Sequence, residues 1–397
     1  MKSSNVPAAV KPSSTPKRLP SALIPIYGTT LADTLGYTLM IPLLPIVVSE
    51  YHASDVMVGS LLSIPAFFSA IAAPIWGKLS DGLGRKNVII ASQILSLAGY
   101  LMLAFAHSLL WIFLSRIISG CGGGGLGAVQ SYIADVTTED QRESAYALYG
   151  AVFGAAFILG PILSGALVHR GLSIPFFVAA GLELFNIVFT ALFLPLKKKH
   201  SKEITSLRRS LQAANEPRVR ILFVRQFLFI FAVVCFLANF ALFVHHTLHG
   251  DVQSVGWLLA LAGAVGGVAL LGIVAPLARR IGDRRTAQLG LFFSAVGYLL
   301  LAFVNGTTLF CIALLFWAVG SAMVEPTLTA LLSERAEAKE RGAVMGVSDS
   351  INSVALILAP SMGAAIVGAN ARLLSVLPLA ATLLSIFLGW RARFITR

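Results

Sequence analysis

Apolar runs of membrane-crossing length dominate this chain, and they leave few folds open. Hydrocarbon offers a peptide group no hydrogen-bond partner, so a segment that enters it must be a helix or a strand of a closed barrel. A helix needs roughly 20 residues to cross, whereas a barrel is written as alternating segments of about ten, which this sequence does not show. Twelve runs are predicted as helices, at 22–48, 56–76, 87–106, 111–133, 144–168, 174–195, 221–248, 254–278, 287–305, 308–332, 343–367 and 372–390. Of the residues, 57% are hydrophobic and 12% charged, with a mean hydropathy of +0.82. That balance lies far outside the range of soluble domains. The predicted class is an all-α membrane protein.

The net charge of +12 raises nucleic acid as a partner, but its placement points elsewhere. With the N-terminus in the cytoplasm, only Arg170 and Arg372 of the Lys and Arg residues fall in outer loops, and Arg116 is inside a run. The remainder, including Lys197, Lys198, Lys199, Arg225, Arg284 and Arg285, are assigned to the inner side. Basic residues collect on the cytoplasmic side of membrane proteins, so both termini are expected there and the partner is the lipid bilayer. Cys121, Cys235 and Cys311 all fall within runs and read as small apolar packing residues, with no disulfide or metal pattern.

The chain also contains its plan twice. Gly77-Lys78-Leu79-Ser80-Asp81-Gly82-Leu83-Gly84-Arg85-Lys86 places charges and turn-forming glycines between two runs, and Pro276 to Arg285 interrupts the second half in the same way. At one constant offset Arg142 matches Arg341, Gly150 matches Asp349, and Pro161 matches Pro360. The expected organisation is a disordered N-terminal tail (1–20), a six-helix bundle (21–195), a basic linker (196–220), a second six-helix bundle (221–391) and a short tail (392–397). Parallel repeats of this kind are a signature of secondary transporters, whose substrates pass between the halves near the midplane.

Four motifs in order sharpen this expectation. They are the segment Gly77 to Lys86; Leu35-Gly36 followed by Pro42 and Pro45; Arg116 followed by Gly120; and Gly150, Gly154, Gly160-Pro161 and Gly165 in the fifth run. Together they resemble the major facilitator superfamily, in particular its twelve-helix drug/proton antiporter branch. The loop departs from the family pattern at Gly82, where a basic residue is usual. The resemblance implies that Arg85 pairs with Asp135; Gly77 and Gly84 are expected to turn the chain and Asp81 to latch onto the start of the eleventh helix near Ala343, the alternative being that Lys78, Arg85 and Lys86 are simply inner-side charges. A carboxylate is stabilised at such a helix N-terminus. The fifth-run glycines are expected to let neighbouring helices approach closely while Pro161 softens the helix. Gly122 to Gly125 follow no strand and lack a phosphate-loop ending, so they read as a close-packing or flexible helix segment.

Ionisable groups inside the membrane cost several kcal/mol unless paired or wetted, and so mark functional sites. Asp33, Arg116, Glu183 and Glu325 are the candidates for proton coupling or substrate binding. A carboxyl in a low-dielectric cavity can hold a proton in one conformation and release it in another. The alternative for each carboxyl is structural hydrogen bonding or, for Glu325 before Pro326, capping. Gln130, Asn239 and Asn352 are candidates for the substrate cavity, or else for ties between helices. His245, His246 and His249 lie together without a complete metal ligand set. The resemblance implies that Asp33 corresponds to the acidic residue of tetracycline/proton antiporters. It does not extend to tetracycline, because Gln288 to Phe303 holds no acid and Trp257 to Val274 no histidine.

The expected function is proton-coupled export of a small amphipathic molecule by alternating access, from a bacterial inner membrane and as a monomer. Uptake symport, uniport and a non-transporting receptor of the same fold are the alternatives. No nucleophile–base pair, metal set or nucleotide loop stands at workable spacing, so an enzyme is not expected. Neither is a cofactor.

Overall fold

The computed structural model of the 397-residue chain describes residues 20–123, 125–195, 217–335 and 341–395. All regular structure among them is helical, as hydrocarbon demands of an open chain. The helices group into twelve spans. The first half holds Leu23–Met40 continued by Leu44–Ser49, then Asp55–Leu83, Arg85–Ala104, Leu109–Gly123 with Leu126–Val136, Glu139–Val168 and Ile174–Phe193. The second holds Pro217–Ala238 with Phe240–Leu248, then Val252–Ala269 running through Leu270–Val274 into Ala275–Ile281, Asp283–Leu301, Thr307–Arg335, Arg341–Ala369, and Ala371–Ser375 leading into Val376–Ile395. Ten helices are long and apolar enough to cross a membrane. The first and ninth spans fall short of that measure because Asp33 and four threonines dilute one, and Asp283, Arg284 and Arg285 open the other.

Several expected boundaries shift. The tail before Pro20 and linker residues 196–216 lie outside the described residues, but Pro217 to Arg220 already belong to the seventh span and 392–395 to the twelfth. The segment Gly77 to Lys86 is not a loop: helix continues to Leu83 and restarts at Arg85. Only Gly84, at φ 91° and ψ 151°, turns the chain, in a region open essentially to glycine alone. Gly282 does the same in the second half at φ 83° and ψ 155°. Gly77 is helical and a side chain there would meet open space, so it makes no turn. Accordingly Gly84→Ala is expected to destabilise by about 1–3 kcal/mol, while Gly77→Ala leaves thermal stability unchanged or raises it.

Interruptions within spans have local causes. Pro42 and Pro45 flank the break after Met40, and a proline removes one helix hydrogen bond. The eighth span widens into a π-turn at Leu270–Val274 directly before Pro276, which accommodates the ring. The glycine segment closes onto the third span: a side chain at Gly122 or Gly125 would strike the Ser92 carbonyl or side chain. The eighth span starts at Asp251, whose Oδ1 accepts from the Ser254 amide at 2.9 Å and its hydroxyl at 2.7 Å. Those hydrogen bonds hold the Asp251 carboxyl below its usual range. Its contribution is therefore present above about pH 4 and lost as the carboxylate protonates below that. Asp251→Ala is expected to cost about 1 kcal/mol in thermal unfolding at neutral pH, and less in acid.

The two halves meet through the second and eleventh spans and through the fifth and eighth. Among the described residues the close contacts gather at the end opposite the two glycine turns. There Ser63 and Ser361 share a hydrogen bond of 3.0 Å, and Gly59 lies against the Pro360 carbonyl and Ala364. Gly165, Gly256 and Gly263 lie against Gln253, Pro161 and Ile158 respectively. His246 Nε2 and Asp55 Oδ2 add a 3.5 Å contact across the same end, partly exposed and so worth little by itself. Toward the glycine turns the interface opens, since side chains at Gly150, Gly154, Gly267, Gly272 and Gly346 would meet nothing within 4 Å. The halves thus form a wedge that is closed at one end. Gly150 and Gly154 do not serve close packing in this state, as the sequence led us to expect; Gly160, against Thr38, and Gly165 do.

Candidate functional site

The first span presents two faces to its own half. Thr29 and Thr38 turn inward: Thr29 Oγ1 meets Thr190 Oγ1 at 3.0 Å, and Thr38 donates to the Ala156 carbonyl at 3.0 Å. Asp33 and Tyr37 stand on a more open face, half-buried and exposed respectively. Asp33 lies within electrostatic range of Tyr100 on the third span and Tyr149 on the fifth, and Tyr149 in turn reaches the Gln130 side chain of the fourth. Gln130 itself is exposed. Because the fifth span forms part of the interface with the other half, this group borders the wedge-shaped space.

Behind it lie charges with no ordinary partners. Arg116 is 2% exposed and, among the described residues, donates to Ser115 Oγ (3.3 Å) and Met40 Sδ (3.4 Å). Glu183 is fully buried on the sixth span beside Asn186, and among the described residues neither carboxylate oxygen meets a donor in hydrogen-bonding geometry. Both lie in the field of Tyr100, together with Asp33 and Tyr37. One turn along, Asn186 donates to the Thr29 carbonyl at 3.2 Å and Gln93 to Thr190 at 3.1 Å. Removing ions from water without close partners costs several kcal/mol each, so this polar wedge between the first, third and sixth spans is a stability burden. A chain that keeps it at the wall of an accessible space has a use for it.

Glu325 is an exposed residue in the middle of the tenth span, directly before Pro326. The structure therefore brings Asp33, Arg116 and Glu183 into one cluster and sets Glu325 apart in the opposite half. Two cavity candidates turn out to tie helices together. Asn239 is fully buried, donating to the Cys235 carbonyl (2.9 Å) and the Pro360 carbonyl (3.1 Å), because the seventh span breaks there. Asn352 accepts from Gln226 at 3.3 Å, and Ser348 donates to Gln226 at 2.9 Å. At the glycine turn, Arg85 lies 3.3 Å from Asp135, 3.2 Å from Asp81 and 2.9 Å from Ser80. Asp81 answers Arg85 here, and the side chains that open the eleventh span, 341–343, lie outside the described residues. Sequence reasoning missed Tyr37, Tyr100 and Tyr149, because tyrosines in apolar runs look like ordinary interfacial aromatics. Gln93 and Asn186 were visible as polar breaks in such runs.

A wedge of two six-span halves with a charged cluster at its wall is a transporter's arrangement, and comparison with known proteins decides the family. The sequence profile of the Major Facilitator Superfamily matches residues 26–247 and again 222–397. The chain belongs to that superfamily. Its relatives within the superfamily include the class C tetracycline resistance protein of Escherichia coli, 28% identical over 361 residues, which are 88% of this chain and 91% of that one. Another is multidrug resistance protein 2 of Bacillus subtilis, 26% identical with 83% and 84% covered. Among solved structures, the human organic anion transporter MFSD10 superposes with a TM-score of 0.72 at 21% identity, covering 93% of this chain and 100% of that one. As a major facilitator the chain is a multi-pass membrane transporter, and the duplicated glycine turns are the marks of its two repeats.

Proposed function

We propose that this transporter exports small amphipathic molecules in exchange for protons, by alternating access, from a bacterial inner membrane with both termini in the cytoplasm. The observation that carries the reading is Asp33, a half-buried carboxyl at the wall of a space open at one end. The distribution of Lys and Arg supports a cytoplasmic open end, as the loading state of an exporter requires. In that state Asp33 gives up its proton and substrate enters along Tyr37, Gln130 and Tyr149. After the halves rock, the far end opens, a proton from outside returns to Asp33 and substrate leaves. Arg116 holds the vacated carboxylate in its field, and Glu183 supplies a second proton-carrying group behind it. On closure Asp81 exchanges Arg85 for the start of the eleventh span, and Gly150 and Gly154 come into contact with the other half. Glu325 carries a proton or a cationic substrate group from the opposite wall. A single chain suffices for this cycle.

The names of the relatives support drug export, and the multidrug relative supports a broad rather than a tetracycline-specific substrate. The ninth span keeps no acid beyond Asp283 at its start, and Trp257 to Val274 no histidine. Everted membrane vesicles carrying the chain, energised and offered lipophilic cations, neutral drugs and tetracycline, test the reading. Accumulation of at least one class that collapses when a protonophore is added is the expected result. Accumulation indifferent to the protonophore would exclude proton coupling.

A further inference from the structure

Glu183 can carry a proton through the cycle only if protons reach it, and its side chain is fully buried. The packing of the first half bears on where they pass. The third and sixth spans run in opposite directions and are tied together by Gln93, whose Nε2 donates to Thr190 Oγ1 at 3.1 Å. The first span joins the same layer, with Thr29 Oγ1 at 3.0 Å from Thr190 Oγ1. Two turns of a helix, about seven residues, return it to the same face. Two turns further from the glycine-turn end stand Tyr100 on the third span, Glu183 on the sixth and Gly36 on the first. These three therefore share a second layer. Gly36 and Tyr100 are in direct contact there, since a Cβ built at Gly36 would lie 3.2 Å from Tyr100 Cε2 and 3.5 Å from the hydroxyl oxygen. The bare backbone of Gly36 is what admits the phenol.

Asp33 stands one turn before Gly36, between the two layers, on the face that borders the open space. The buried Tyr100 thus has an accessible carboxyl on one side and an enclosed one on the other, and it lies in the field of both. Arg116 and Tyr37 share that field, but a guanidinium does not give up its proton, and Tyr37 is exposed. A phenol offers one donor and one acceptor on a single oxygen. With an ordinary pKa of about 10 it keeps its proton at neutral pH, so it is suited to passing a proton on rather than storing one.

We propose that Tyr100 relays protons between Asp33 and Glu183. The proposal rests on the proton-coupled reading above and adds the path by which the enclosed carboxyl is filled and emptied. Protonated Asp33 gives its proton to Tyr100 Oη as the phenol passes its own hydroxyl proton to the Glu183 carboxylate, directly or across one water. The O–H bond broken at Asp33 is matched by the one formed at Glu183, and the phenol is regenerated uncharged. Asp33 is left as a carboxylate, and Glu183 as the neutral acid. The reverse transfer empties Glu183 through the same oxygen.

The test is infrared spectroscopy of the purified full chain, following the carboxylic acid C=O stretch of Glu183, identified by its loss in Glu183→Gln, after transfer from ordinary to heavy water at neutral pH. Hydrogen exchange at that group slowed by about tenfold or more in Tyr100→Phe, and likewise in Asp33→Asn, is the expected result. Phenylalanine keeps the ring against Gly36 and removes only the hydroxyl. Loosened packing would speed the exchange, so slowing separates a relay from a structural role. Should Tyr100→Phe fail to fold, Asp33→Asn decides by the same measurement. Exchange at the wild-type rate in either variant overturns the relay, as does a wild-type spectrum with no protonated carboxyl that Glu183→Gln removes. Failure of the export reading looks different: substrate accumulation indifferent to a protonophore would strike proton coupling, while slowed exchange in Tyr100→Phe would stand.

Discussion

Proton-driven export falls to background in an Asp33→Asn variant that still inserts and folds. Asparagine keeps the size and hydrogen-bonding capacity of the side chain, so the packing of the first span against the fifth and sixth is unchanged. What it removes is the group on the first half's wall of the open space that can alternate between a proton and a charge. The buried Arg116 then has no titrating partner at the cavity surface, and Glu183 has no access of its own, being fully enclosed. The measurement is accumulation in energised vesicles at matched protein levels. Wild-type rates in this variant would make Asp33 a structural carboxyl.

Turnover also stops when Ser63→Cys and Ser361→Cys are introduced together and oxidised. The native hydroxyls are 3.0 Å apart across the closed end of the two halves, and flanking Gly59 packs directly on Pro360 and Ala364. Sulfurs in those positions fall within reach of a disulfide, whose Cβ atoms must approach to roughly 4 Å. A covalent link there holds the wedge shut at the far end, so substrate that enters cannot leave. Reductant should restore transport to the level of the single variants, each of which should be nearly as active as wild type. Unimpaired turnover in the cross-linked protein would show that this end need not open.

Much of this architecture is legible in the chain, because hydrocarbon imposes rules that single residues obey. Most of the spans follow from apolar length, Gly84 from the need for a turn only glycine adopts, and Asp33, Arg116 and Glu183 from their presence in apolar runs. Other features depend on partners that no local pattern specifies. Residues 77–83 are helical because their peptide groups close hydrogen bonds within the second span, whatever charge they carry. Asn239 looks like a cavity residue until the eleventh span supplies the Pro360 carbonyl. Gly150 and Gly154 belong to the same motif as Gly160 and Gly165, yet which of them are packed depends on how far the halves have swung apart. Arg225 reads as one more basic residue near the linker, and its enclosure by the ninth and twelfth spans appears only in three dimensions.

An antiporter moves substrate and protons in opposite directions through one site. The most direct measurement is internal and external pH in liposomes containing the purified chain, with no imposed gradient, when a transported compound is added on one side. Substrate entry accompanied by proton release to the side it left, absent in Asp33→Asn, is the predicted result. Substrate entry with no change in pH, or with protons travelling alongside it, would contradict proton antiport.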